Sequence, residues 1–165
     1  MRARNYREVK GQAYTRKRYI RGSPAPKITK FTMGDSKGKF EYRALLVAKR
    51  EVQIRHMALE AARVAANRAL SEKLGASYLL QIVPYPHNVL RENKMIFGAH
   101  ADRLQDGMRL AFGKPIGTAA RVKVDQPVIL IRVNENGIEA AKEALRLGGV
   151  KLPMTSRIII EKVTD

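Results

Sequence analysis

Residues 55–74 read RHMALEAARVAANRALSEKL. Leu59, Ala62, Ala66 and Leu70 recur three or four residues apart, and Ala58, Ala61, Ala65 and Ala69 widen the stripe, a periodicity that predicts a helix with one apolar side. Gly75 ends it. A helix so rich in alanine can lie close to a sheet. Arg63, Arg68 and Lys73 then point away from that contact, with Glu60 and Glu72 at helical spacing. Two readings of Arg63, Arg68 and Lys73 stand side by side: a solvated, ion-paired face or a face turned to RNA.

On either side of this helix the pattern is that of strands. Residues 30–33 and 40–48 flank Gly34-Asp35-Ser36-Lys37-Gly38, which predicts a hairpin. Residues 78–83 have the composition of a buried strand, ended by Pro84 and Pro86. Arg121 and Lys123 alternate with Val122 and Val124, placing the cations in water and the valines in the core. After a turn at residues 125–127, residues 128–133 form an apolar run broken only by Arg132, which implies burial on both faces. A second helix follows with Ile138, Ala141 and Leu145 on one face, Glu139 and Glu143 in its first half, and Gly148-Gly149 past its end. Residues 158–163 close the chain as a strand. The predicted fold is α+β, with two helices packed on a mixed sheet. Residues 85–117 resist this scheme, having few periodic apolar positions; a long insertion of that kind is functional or disordered.

The charge is not evenly spread. The chain of 165 residues has a formal net charge of +17 and an isoelectric point near 10.5. Residues 1–30, MRARNYREVKGQAYTRKRYIRGSPAPKITK, carry ten Lys or Arg against one acid, Glu8. Gly11, Gly22, Pro24 and Pro26 interrupt any regular element there, so the segment has no apolar face of its own. Like charges at that density are relieved when phosphates replace released counterions, which points to a polyanion. Arg2, Arg4, Arg7, Lys10, Arg16, Lys17, Arg18, Arg21, Lys27 and Lys30 are the candidate phosphate ligands. Tyr14 and Tyr19 can stack on unpaired bases, which suits folded RNA better than regular duplex. The competing reading is a solvated tail that keeps the protein soluble. The organisation is then an RNA-binding arm over residues 1–30 and a single α/β domain over residues 31–165, with an internal loop at residues 100–117.

Other chemistries lack their signatures. Without cysteine, thiolate metal sites and disulfides are excluded. His56, His87 and His100 have no ligand spacing, so no metal and no cofactor is expected, and each histidine reads as a surface or RNA-facing residue. Gly107 to Lys114 resembles a P-loop, but the glycines are one residue too far apart and Pro115 stands where Ser or Thr would hold magnesium. No Gly-x-Ser-x-Gly elbow is present, and Asp102 and Asp106 sit beside Arg103 and Arg109, which reads as charge balance. No catalytic residue is therefore assigned. No signal core or apolar span is seen at the N-terminus, and no membrane partner or self-association is expected.

Four stretches carry a family resemblance. Residues 138–154, IEAAKEALRLGGVKLPM, residues 59–63, LEAAR, residues 4–28, RNYREVKGQAYTRKRYIRGSPAPKI, and residues 96–115, IFGAHADRLQDGMRLAFGKP, resemble the large-subunit ribosomal protein family called ten-e in archaea and eukaryotes and sixteen in bacteria. The likeness covers essentially the whole chain and is of the archaeal type. Residues 91–115 depart from the bacterial pattern, which has a shorter loop rich in glycine and lysine. The resemblance implies an α/β hammerhead embedded in large-subunit rRNA near the elbow of aminoacyl tRNA. It implies that residues 100–117, with Arg103, Arg109 and Lys114, are directed at the peptidyl transferase region and ordered by aminoacyl or peptidyl tRNA. Its implied partners also include neighbouring large-subunit proteins, and its place is the cytoplasm, on the ribosome. An RNA-modifying or RNA-cleaving enzyme with a basic surface is the alternative; a DNA binder is disfavoured by the lack of a helix-turn-helix.

Overall fold

The computed structural model describes residues 2–163, and the side chains of all of these but 101 and 102. In chain order the elements are β1 (Thr32–Gly34), β2 (Tyr42–Ala48), β3 (Val52–Arg55), α1 (His56–Leu74), β4 (Leu79–Ile82), β5 (Asn88–Glu92), the single turn α2 (Ala101–Leu104), β6 (Lys114–Val122), β7 (Pro127–Val133), α3 (Ile138–Val150) and β8 (Ser156–Lys162). The α+β class and the two long helices are as the sequence predicts. The strands, however, divide into two sheets whose pairings are all antiparallel rather than one mixed sheet: five strands in the order β1-β4-β7-β2-β8, and three in the order β3-β6-β5.

Several expectations fail for one reason: tertiary pairing overrides local spacing. β1 and β2 do not form a hairpin. β1 pairs with β4 and β2 lies between β7 and β8. Gly34, at φ +88°, brings the chain so near Tyr78 that a Cβ would meet its carbonyl oxygen at 2.0 Å, so β1 is steered to β4. The turn at residues 125–127 exists, with Asp125 at φ 61°, but it links strands of different sheets. Val124 is consequently exposed rather than in the core. β7 is buried through Val128, Ile129, Ile131 and Val133, yet Arg132 faces outward opposite Arg43, so only one face of the large sheet is covered. Residues 85–117 contain β5 and the start of β6, which makes their loop shorter than the sequence suggested.

The covered face belongs to α1 and α3. The stripe Leu59, Ala62, Ala66, Ala69 and Leu70 is buried, meeting Ala141, Ala144 and Leu145 of α3 and Leu46, Leu80, Ile129 and Ile131 of the sheet in one core. The helices run antiparallel: Gly148 stands against Ala62 and Ala66, while Lys73 pairs with Glu143 and Gly137 abuts Leu74. Gly148 and Gly149 lie inside α3, not beyond it. Their small size explains this, because at Gly148 a Cβ would come 3.0 Å from Ile129 Cδ1 and 3.4 Å from the Ala62 carbonyl oxygen, whereas at Gly149 it would find only ordinary contact from 3.5 Å outward.

The two glycines should therefore respond oppositely to added bulk. Gly149→Ala is expected to stabilise the protein by up to about 1 kcal/mol through helix propensity, while Gly148→Val should cost about 1–3 kcal/mol by overpacking the helix crossing. Denaturant midpoints measure both; equal effects would contradict the packing described.

Candidate nucleic-acid interface

The arm is held on the small sheet by its main chain. At the free edge of β3, the Gln53 N–H donates to the Arg7 carbonyl at 2.8 Å, and the Gln53 side-chain amide donates to the Tyr6 carbonyl at 3.0 Å. At the free edge of β5, the Val89 N–H donates to the Tyr14 carbonyl at 2.9 Å, and the Tyr14 N–H donates to Asn88 Oδ1 at 2.8 Å. Between the edges, Arg121 of β6 donates to the carbonyls of Gly11 at 2.8 Å and Lys10 at 3.1 Å. Arg121 was expected to face water; it is instead spent on the arm. Asn88 also donates to Gln53 Oε1, so both buried amides are satisfied by each other and by the arm.

Further along, apolar and polar anchors alternate. Ile20 and Ile28 are buried, Ile28 completely and within the main core. Between them and α1, the Lys27 N–H donates to His56 Nδ1 at 2.7 Å. His56 is thus a buried acceptor, not the surface residue expected. Burial first, then Lys27 and Arg55, push its pKa below the ordinary value, so it is neutral and free to accept. The expectation failed because a lone histidine before a helix gives no sign of what packs over it.

Fixing the arm by its carbonyls leaves its cations outside. Arg2, Arg4, Arg7, Lys10, Arg16, Lys17, Arg18, Arg21, Lys27 and Lys30 are all exposed. Among the described residues only Lys10 has an ion pair, with Glu8 at 2.9 Å. Tyr19 is also open, but the Tyr14 ring is partly used. Arg91 lies 4.0 Å from its centroid and 3.6 Å from that of Phe112, and Tyr14 and Phe112 meet edge to face at 6.1 Å. That contact joins the arm to the base of the internal loop. The Asn93 side chain braces the same base by donating to the Gly107 carbonyl at 2.7 Å.

Within the loop, Arg103, Arg109 and Lys114 are exposed, in company with Leu104 and the fully exposed Leu110. Asp106 forms no ion pair with Arg103 or Arg109 among the described residues, so its charge is not balanced in the way the spacing suggested. The side chain of Asp102 lies outside the described residues. On α1, Arg63 is largely covered and chelated by both oxygens of Glu60; that hydrogen bond holds the Glu60 carboxyl below its usual range and raises Arg63. Arg68 pairs with Glu72 at 2.9 Å in full solvent.

One surface feature escaped the sequence reading. Phe31 stacks on Tyr85 at 5.4 Å, and Tyr85 meets His87 at 4.6 Å. The signal was the alternation Pro84-Tyr85-Pro86-His87, in which extended backbone sends both prolines inward and both rings outward. This aromatic row lies one residue from Lys30. Among the described residues no group of acids and histidines is arranged to hold a metal, and no helix is long and apolar enough to cross a membrane.

Comparison with known proteins bears on this geometry. A family model described as ribosomal protein L16p/L10e matches residues 9–159. The chain is 54% identical over 160 residues to the large ribosomal subunit protein uL16 of Sulfolobus acidocaldarius, covering 95% of this chain and 91% of that protein. It is 56% identical over 160 residues to uL16 of Staphylothermus marinus, with 96% and 92% covered, and 50% identical over 161 residues to uL16 of Picrophilus torridus, with 97% and 92% covered. These relatives are named as ribosomal proteins and not as enzymes, which sets aside the RNA-modifying alternative. The arm, both sheets and the internal loop all fall largely within the matched span, and the chain belongs to the L16p/L10e family of ribosomal proteins, in its archaeal form.

Proposed function

We propose that this protein is a structural constituent of the large ribosomal subunit that binds large-subunit rRNA through its arm and helps to position tRNA near the peptidyl transferase region through residues 100–117. The observation that carries the proposal is the division of labour along the arm: carbonyls bind the small sheet, while ten cations point to solvent with a single carboxylate among them. A segment that spends its main chain on the protein and withholds its charges is built to meet phosphate. Tyr19, and the Phe31, Tyr85 and His87 row, offer faces to unpaired bases beside that charge.

Arg103, Arg109 and Lys114 extend the positive surface along the loop, and the Arg91 contact with Tyr14 and Phe112 fixes where the loop leaves the body. That arrangement supports a loop carried by the rRNA-bound arm toward aminoacyl and peptidyl tRNA. Arg63 and Arg68 contribute less. Arg63 is committed to Glu60, whereas the exposed Arg68–Glu72 pair is worth about 0.3–0.5 kcal/mol and opens readily to a phosphate. The protein then resides in the cytoplasm on the ribosome, with neighbouring large-subunit proteins around it.

Replacing Arg16, Lys17 and Arg18 together by alanine is expected to flatten the salt dependence of rRNA binding by roughly two units in log–log slope, taking about 0.7 unit per phosphate contact. An unchanged slope removes this part of the arm from the interface. For the loop, Arg109→Ala should leave subunit assembly intact while slowing tRNA accommodation and peptide transfer in assembled ribosomes. Normal peptide transfer with that substitution would contradict the role given to the loop.

A further inference from the structure

α1 carries two apolar stripes, and only one is used by the core. The second runs along Met57, Ala61, Val64 and Ala65, and beside it the last turns of α3 present Leu147 and Val150. Met57 is 45%, Val64 50%, Leu147 43% and Val150 74% exposed, so large side chains line an open channel between the antiparallel helices. The channel has a volume of about 790 Å³. Alanine and the larger apolar residues thus extend beyond the side of α1 that the core covers, and this second stripe stays exposed.

The charges around the channel say what that neighbour is like. Glu60 and Arg63 neutralise each other, as do Arg68 and Glu72. Lys151, at the end near Val150, has no carboxylate partner among the described residues. The floor is apolar and the uncompensated rim is positive. RNA would find the lysine but not the floor, which offers no flat ring for a base.

From this we infer that the channel between α1 and α3 is the seat of an amphipathic helix from a neighbouring protein, its apolar side on Met57, Val64, Leu147 and Val150 and its acidic end beside Lys151. A helix in a groove between two helices is a recurrent mode of recognition, read through anchors three, four and seven residues apart. The proposal deepens the reading that the protein has protein neighbours in the subunit, and it names the surface and chemistry of one of them.

The test places the photo-crosslinker p-benzoyl-phenylalanine at position 64 in the full chain, in living cells, with products sought both on and off the large subunit. Incorporation of the chain into the subunit is scored separately, so failure of assembly and failure of the channel are told apart. A crosslink to a protein helix with apolar residues at helical spacing and acids at one end is the expected result. Adding Lys151→Glu should lower its yield by about two- to fivefold, the range for one exposed charge pair, with thermal unfolding unchanged. A crosslink to rRNA, a crosslink to a basic or non-helical segment, no crosslink, or a yield indifferent to Lys151→Glu would each overturn the inference.

Discussion

The structure turns on hydrogen bonds between the arm's carbonyls and the exposed edges and face of a three-stranded sheet. Open sheet edges are costly and invite unwanted pairing. Here the Gln53 and Val89 amides, at opposite edges, are capped by the carbonyls of Arg7 and Tyr14. A strongly basic segment that could build no core thus becomes ordered through its carbonyls, without spending its own cations on the sheet. Gln53, Asn88 and Arg121 are the polar groups that make this possible.

That arrangement also explains why the small sheet exists apart from the large one. The five-stranded sheet with α1 and α3 supplies the core and most of the apolar burial. The three-stranded sheet supplies a platform, and its long β6 leads directly out of the internal loop. Arm and loop therefore share one foundation. Where they meet, Arg91 lies between the rings of Tyr14 and Phe112, so the two regions proposed to reach rRNA and tRNA are joined by one cation flanked by aromatic faces.

How much of this was legible in the sequence depends on the range of the interaction. The helix at 56–74 was readable because its stripe is local, and the basic arm because charge needs no fold to be counted. Strand pairing was not: Gly34 and Gly38 look like a hairpin, and only the close approach of Gly34 to Tyr78 shows otherwise. Gly148 looked like a helix stop because spacing cannot reveal the Ala62 carbonyl and the Ala66 methyl group that face it. His56 and Arg121 were read as surface residues for a related reason. Each is covered by the arm, and a main-chain partner leaves no trace in side-chain pattern.

The central claim is that the arm is docked by its own backbone before any nucleic acid arrives, which spares the ordering entropy that a free basic tail would spend on binding. Amide hydrogen exchange of the isolated protein, without RNA, tests it most directly at Gln53 and Val89, whose N–H groups have the arm's carbonyls as acceptors. Slow exchange at both positions, comparable to amides inside the sheet, is the result the account predicts. Exchange at the rate of an unprotected edge strand, slowed only when rRNA is added, would contradict it.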